Sequence, residues 1–267
     1  MKKEEIKLIC TDIDGTLIND EDQLPSGFNS LIDQLEKEKI YFVAASGRGR
    51  DSIKNKLNYK SDYMYYISDN GAILSNEEEI FYKNNFAKDE VDKILKVFRE
   101  CEEASIIATT EDISYVELHG DHNEDFLKEF FVNYKVVDDI SACDVDIVKI
   151  TMRSNFHSKE NFVKNNMQQL KEKYHLVRAG HPWIDIMKAD SNKGKALETL
   201  LEMLDIKKEA TIGFGDFPND IHMLEVVNKA YAMKEAHPDV IKVADETIGS
   251  NNDNSVIKKI NKLLKLN

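Results

Sequence analysis

Apolar residues along this chain fall into three regimes. In the first, short apolar runs at 6–10, 40–45 and 63–67 alternate with a set at helical spacing, Phe28, Leu31, Ile32 and Leu35. Runs of that length read as buried strands, and the recurring set reads as one face of a helix. Such β-α-β alternation predicts an α/β core with a parallel sheet and right-handed crossovers. Ligands of such sheets sit at the carboxyl ends of the strands.

From residue 83 to 187 the pattern is mixed. Val91, Ile94, Leu95 and Phe98 have helical spacing, and 105–108 and 114–118 read as two strands around a turn at Glu111-Asp112. A helix near 124–132, strands at 135–137 and 145–152, a helix over 159–173 and closing strands at 175–179 and 183–187 complete an α+β module. After Ala189 the alternation returns, with a helix over 193–204, a strand at 210–213 and a helix after Asn219. Strands at 229–233 and 246–248 and a helix over 256–266 follow. The expected organisation is a core made of 1–82 and 188–267, interrupted by an inserted domain of 83–187.

Chemistry collects where the core's apolar runs end. The first run leads into Thr11-Asp12-Ile13-Asp14-Gly15-Thr16-Leu17. Side chains alternate on an extended backbone, so Asp12 and Asp14 point to one side as the strand ends. Gly15 permits a sharp exit, and Thr16 a hydrogen bond back to the loop. An acid pair so placed can divide phosphoryl transfer, with Asp12 as nucleophile and Asp14 as proton carrier. A turn after a strand is the commoner use of D-x-D-G.

The second run ends in Ser46-Gly47-Arg48, where a hydroxyl and a backbone N–H can hold an anion. Ser46 also suits the N-cap of a helix over 51–57. Lys193, in Ser191-Asn192-Lys193-Gly194-Lys195, opens a helical pattern and can neutralise a phosphate beside Asp12; an isolated lysine there is ordinarily a solvated helix start. Gly213-Phe214-Gly215-Asp216-Phe217-Pro218-Asn219-Asp220 supplies a candidate metal ligand, Asp216, with Asn219 and Asp220 in support. Mg²⁺ wants such hard oxygen ligands, although the same stretch also serves as an acidic helix start.

These four elements, in this order, resemble the four motifs of the haloacid dehalogenase (HAD) superfamily of phosphatases. More narrowly they resemble its Cof-type branch. Ile67-Ser68-Asp69-Asn70-Gly71-Ala72 and Ala232-Met233-Lys234-Glu235-Ala236-His237-Pro238 are similar to that branch's secondary signatures, so the resemblance spans the chain. It implies a Rossmann-like, doubly wound parallel core with an inserted C2-type cap. It also implies Mg²⁺ held by the Asp12 and Asp216 carboxylates and the Asp14 carbonyl, and an aspartyl-phosphate on Asp12. Ser46, Gly47, Arg48 and Lys193 would bind the phosphate. The implied reaction is hydrolysis of a small phosphorylated metabolite, sugar phosphates foremost, with pyridoxal phosphate and flavin mononucleotide as further cases. Phe217-Pro218 departs from the smaller or polar pairs of the family and leaves the division between Asn219 and Asp220 open. The alternatives are a phosphomutase or phosphotransferase using the same intermediate, and a low-turnover regulatory protein that binds a phosphometabolite. A pure binder has no use for Asp14.

Two rival chemistries fail on spacing, and a third, a histidine metal pair, yields to a commoner role. A cysteine phosphatase needs an arginine about six residues past its cysteine, where Cys10 is followed by Thr16. A Walker A loop needs Ser or Thr after Gly-Lys, where Gly194-Lys195 is followed by Ala196. His119 and His122 flank Gly120-Asp121 in what reads as a surface turn. Arg50, His119, Arg178, His181 and Trp183 are possible substrate contacts, for which surface or packing duty is the ordinary role; Trp183 reads as core.

Composition narrows the class. A length of 267 residues suits two modules, and 42% hydrophobic residues suffice for two cores. No apolar run approaches the ~20 residues that span a bilayer, and Met1-Lys2-Lys3-Glu4-Glu5 lacks the apolar core of a signal peptide. Cys10, Cys101 and Cys143 are odd in number and scattered, which fits reduced thiols and a cytoplasmic location. A net charge of −13 argues against nucleic-acid or anionic-membrane partners. It also means that an anionic substrate needs local help, from Arg48, Arg50, Lys193, Lys195 and a divalent cation. Nothing in the pattern fixes an oligomeric state.

Overall fold

Strand β1 (Leu8–Asp12) is buried at all five positions, as a strand covered on both faces must be. The computed structural model in which it lies describes residues 5–101, 103–119, 127–128, 131–153, 168–178 and 183–266. After β1 come helix α1 (Phe28–Lys37), β2 (Tyr41–Ala45), α2 (Arg50–Leu57), β3 (Met64–Ser68), β4 (Ile73–Ser75) and β5 (Ile80–Lys83). Phe28, Leu31, Ile32 and Leu35 are all buried on the inner face of α1, each contributing about 1.5–3 kcal/mol of transfer free energy. The second unit follows with α3 (Lys88–Arg99), β6 (Ser105–Thr109), β7 (Ser114–Glu117), β8 (Tyr134–Val136), β9 (Lys149–Arg153), β10 (Tyr174–Arg178) and β11 (Trp183–Lys188). The chain then adds α4 (Lys193–Met203), β12 (Thr211–Gly215), α5 (Ile221–Val226), β13 (Lys229–Ala232), α6 (Pro238–Val243), β14 (Glu246–Thr247) and α7 (Ser255–Leu264) to the first unit.

The first unit's sheet has the order β14-β13-β12-β1-β2-β3-β4-β5. Every pair from β14 to β3 is parallel. β1 is central, with Leu8 opposite both Thr211 and Tyr41. The strand order reverses at β1, since the chain fills the β2 side first and the β12 side later. Such a switch point leaves a crevice at the carboxyl ends of the strands.

The inserted unit has its own sheet, β10-β11-β9-β6-β7-β8, antiparallel except for β7 with β8. Val91, Ile94, Leu95 and Phe98 of α3 are buried against Ile106, Ala108, Ile150, Met152, Ile184 and Ile186 from the sheet. Among the described residues no helix is long and apolar enough to cross a membrane.

The structure differs from the sequence expectation in several places. The two units divide at Tyr82/Lys83 and at Ser191/Asn192, whereas the sequence puts the return at 188. Lys188 is still a strand residue opposite Tyr174, and Asp190 and Ser191 accept hydrogen bonds from the Asn84 amide at 2.7 and 2.9 Å. β4 and β5 are not foreseen, and β4 runs antiparallel to β3. Helix α6 is likewise new. The strand expected at 145–152 starts only at Lys149, because Ile147 instead accepts from the Phe86 N–H at 2.9 Å. Most of the helices expected near 124–132 and 159–173 lies outside the described residues.

Candidate active site

Asp12 is the last residue of β1, and only 5% of it is exposed. Lys193 opens α4, held in place by the Asn192 side chain, which caps the helix by accepting from the Lys195 N–H at 2.9 Å. The Lys193 ammonium, fully buried, donates to Asp12 Oδ1 at 2.5 Å and to Asp220 Oδ1 at 2.6 Å. Asp220 Oδ2 in turn accepts the backbone N–H groups of Asp216 and Phe217, at 3.0 and 3.1 Å. Asp216 is fixed on its other side by Thr16, whose hydroxyl donates to Oδ1 at 2.9 Å. The sequence gives Thr16 a bond within its own loop; it reaches a different strand end instead.

Two glycines make this packing possible. Gly15 has φ +77° and lies so close to Asp216 that a Cβ would sit 2.6 Å from Oδ2. A Cβ on Gly215 would meet the Asp220 side chain at 2.7 Å. Both carboxylates lie where only a bare backbone leaves room.

Oxygens of Asp12, Asp216 and Asp220 lie within 4.8 Å of one another. Burial first, then the charge of Asp220, pushes the Asp12 carboxyl well above the usual carboxylate range, against the pull of Lys193. Asp216 is pushed up to about 6, by burial first and Asp220 second, with Thr16 and Lys193 opposing. Burial works against the Lys193 charge, but Asp12 and Asp220 outweigh it and raise its pKa. Three carboxylates therefore face one ammonium, and Asp12 Oδ2 is buried with no hydrogen-bond partner among the described residues. That orphaned oxygen, together with Asp216, fits a hard divalent cation. Asp220 fits less well as a direct ligand, since both its oxygens are already committed to protein donors.

The second half of the site is more open. Asp14, 47% exposed at its side chain, receives the Arg48 guanidinium: Nε lies 3.1 and 3.0 Å from its two oxygens, and Nη2 lies 2.6 Å from Oδ1. The Ser46 hydroxyl donates to Asp14 Oδ2 at 3.3 Å and accepts the Arg48 N–H at 3.1 Å. Ser46 is thus not the N-cap of α2, which is Gly49. Hydrogen bonding to Asp14 raises the Arg48 pKa further, against its burial.

Asn70 ties the halves together, and sequence reasoning passed over it. It adopts φ +55° between Asp69 and Gly71, also at positive φ. Its N–H donates to the Ser46 carbonyl at 3.0 Å, and its side-chain oxygen accepts from the Asn219 amide at 3.0 Å. A Cβ on Gly47 would lie 3.2 Å from its amide. A D-N-G triplet is a signal for left-handed turns, and it was the available clue.

Other sequence candidates go elsewhere. Arg50 donates to the carbonyls of Asn76 and Glu77, pinning the β4–β5 turn. Lys195 is exposed, 3.7 Å from Glu198. His119, in the second unit, donates its N–H to Ser105 Oγ at 3.2 Å and lies 3.6 Å from Glu117. Trp183 is not core: it sits half-buried at the margin of Ile107, Val116 and Leu127, with Arg153 5.5 Å above its ring. His122 and His181 and the side chain of Arg178 lie outside the described residues.

Comparison with known proteins identifies the family. Residues 9–260 match the haloacid dehalogenase-like hydrolase family. The 5-amino-6-(5-phospho-D-ribitylamino)uracil phosphatase YbjI of Escherichia coli is 24% identical over 97% of this chain and 97% of its own. A structure from Eubacterium rectale superposes with a TM-score of 0.88 at 29% identity, covering 97% of this chain and 100% of that one. The HAD subclass IIB sugar phosphatase BT4131 shares the fold at a TM-score of 0.76 and 22% identity, over 96% of this chain and 98% of its own. With its motifs, fold and relatives in agreement, the chain belongs to the haloacid dehalogenase-like hydrolases, as a phosphoric monoester hydrolase of their Cof-type branch.

Proposed function

We propose that the protein is a Mg²⁺-dependent phosphatase of small phosphorylated metabolites, sugar phosphates foremost, that works through an aspartyl-phosphate on Asp12. One observation carries this reading: Asp12 Oδ1 is gripped by the buried Lys193 ammonium while Oδ2 has no partner among the described residues. A buried carboxylate oxygen without a partner is unfavourable unless something is meant to meet it. Oδ2 attacks phosphorus in line, forming the acyl phosphate, and the P–O bond to the leaving alcohol breaks. Asp14 gives its proton to that alkoxide, then takes one from the water that attacks the aspartyl-phosphate and frees inorganic phosphate. The Ser46 hydroxyl, the Gly47-Arg48 segment just beyond β2 and the Lys193 ammonium stabilise the equatorial oxygens. Catalysis of this kind rests on positioning and electrostatics.

The carboxylates of Asp12 and Asp216 and the carbonyl of Asp14 would hold Mg²⁺. When bound, it supplies positive charge against both the phosphoryl oxygens and the crowded carboxylates. Asp220 orients Lys193 and the Asp216 backbone, and Asn219 braces Asn70. The substrate class draws support from YbjI and BT4131, whose names specify a phosphorylated ribityl compound and sugar phosphates. The test is phosphate release from a panel of sugar phosphates, pyridoxal phosphate and flavin mononucleotide, with Mg²⁺ or EDTA. Release that requires metal and vanishes in Asp12→Asn is expected. Release that survives in Asp12→Asn would sink the covalent mechanism, and silence across the panel would sink the hydrolase assignment for these substrates.

A further inference from the structure

Ser46 and Arg48 face an anion already, and that anion belongs to the protein. We propose that the Asp14 carboxylate is an internal occupant of the cradle formed by Ser46 and Arg48, which the incoming phosphoryl group must displace. The idea rests on the phosphatase reading above and concerns how that site is kept at rest.

The donor count supports it. The single hydroxyl proton of Ser46 goes to Asp14 Oδ2, while its oxygen is occupied by the Arg48 N–H. The guanidinium directs both Nε and Nη2 at the same carboxylate. A guanidinium fork fits carboxylate and phosphate alike, so one can replace the other without rebuilding the donors. Arg48 therefore cannot give these donors to a phosphoryl group while Asp14 holds them. The exchange is mechanically easy. Asp14 precedes Gly15, whose φ is +77°, on an exposed turn. Its pair with Arg48 is 34% and 47% exposed, and half-exposed ion pairs are weak. Arg48 also keeps a second anionic neighbour, Asp22, 3.6 Å from Nη2, and Lys56 anchors Asp22 in turn. Displacement thus frees the Asp14 side chain only when a phosphoryl group has taken its place, so release of the proton carrier is coupled to substrate arrival.

An internal competitor that fills the cradle most of the time weakens external anions in proportion, by about tenfold at 90% occupancy. The experiment is calorimetric titration of inorganic phosphate, with Mg²⁺ present, into the wild type, Asp14→Asn, Arg48→Ala and the double variant. Phosphate should bind Asp14→Asn about 3- to 10-fold more tightly than wild type, although turnover collapses. Arg48→Ala should bind phosphate more weakly, and in that background Asp14→Asn should bring no gain. This non-additivity is the decisive readout. Equal tightening with and without Arg48 would mean simple through-space repulsion and overturn the proposal, as would no tightening at all. Arg48→Lys, which keeps charge but loses the fork, should recover only part of the coupling. Wild type that binds no phosphate and releases none from any substrate would remove the phosphatase reading itself, and this proposal with it.

Discussion

The site contains two arrangements of cation and carboxylates, and they are built on opposite terms. On one side Lys193 is fully buried between Asp12 and Asp220, each contact near 2.5 Å, and every anchoring group comes from the end of a strand or the start of a helix. On the other, Arg48 and Asp14 meet at the surface on turn residues. A buried ion pair cannot lose one member without stranding the other's charge, whereas an exposed pair exchanges partners with water and ligands at little cost. Phosphoryl transfer as proposed above would use both properties. In the proposed mechanism the nucleophile, Asp12, stays in place while the proton carrier, Asp14, moves.

That contrast can be attacked from several directions. Asp12→Asn should lower turnover at least about 10⁴-fold, while the urea midpoint stays the same or rises, because Lys193 keeps Asp220 as its counter-ion and one of the crowded buried carboxylates is gone. A lowered midpoint would show that Asp12 is structural. Lys193→Met should remove activity and also destabilise the fold by about 3–5 kcal/mol, since two buried carboxylates lose their shared counter-ion. Urea unfolding measures this, and a change below 1 kcal/mol would erase the distinction between the two sides.

The third test uses pH. Asp216 is raised to about 6 in the folded protein, so the folded state holds its proton more firmly than the unfolded chain between about pH 4 and 6. Stability from this group therefore falls as pH rises through that window, and a bound cation must expel the proton below pH 6. Mg²⁺ affinity should weaken by about tenfold or more per pH unit below about 6, because Asp216, and Asp12 with it, must give up a proton for the cation to bind. Titration calorimetry at pH 5, 6 and 7.5 measures it, and a flat profile would exclude Asp216 as the ligand. The smallest effect belongs to Arg48→Ala, which should change unfolding free energy by only about 0.2–1 kcal/mol. A larger loss would make the Arg48 side as rigid as the Lys193 side.

Much of this was legible in the chain, because the parallel-sheet core writes its buried strands as apolar runs and puts its chemistry where they stop. Asp12, Ser46 and Asp216 each lie at or just beyond the end of a strand. What escaped has physical reasons. β4 has three residues and its turn lies in the acidic run Glu77-Glu78-Glu79, too short and too charged for any periodicity to show. Lys195, the weaker candidate in the sequence, lies two residues along the helix from Lys193, which turns its side chain by about 200°, onto the opposite face. The same composition thus gives a buried ammonium and a solvated one. The left-handed backbone of Asn70 is signalled by Asp69-Asn70-Gly71, but its partner 149 positions away, Asn219, is encoded by no local pattern.

The placement of β12 beside β1 also has a history in time. Leu8 pairs with Thr211, about two hundred residues later in synthesis. At about 5–20 residues per second the ribosome needs on the order of 10–40 s to deliver that partner. Through this interval the nascent chain carries β1 with one of its two edges unpaired, and the inserted unit, complete in sequence by Ser191, emerges before that edge is closed. The order of translation therefore favours an inserted unit that folds early and a catalytic centre that is assembled last, when Lys193, Asp216 and Asp220 arrive together within 28 residues.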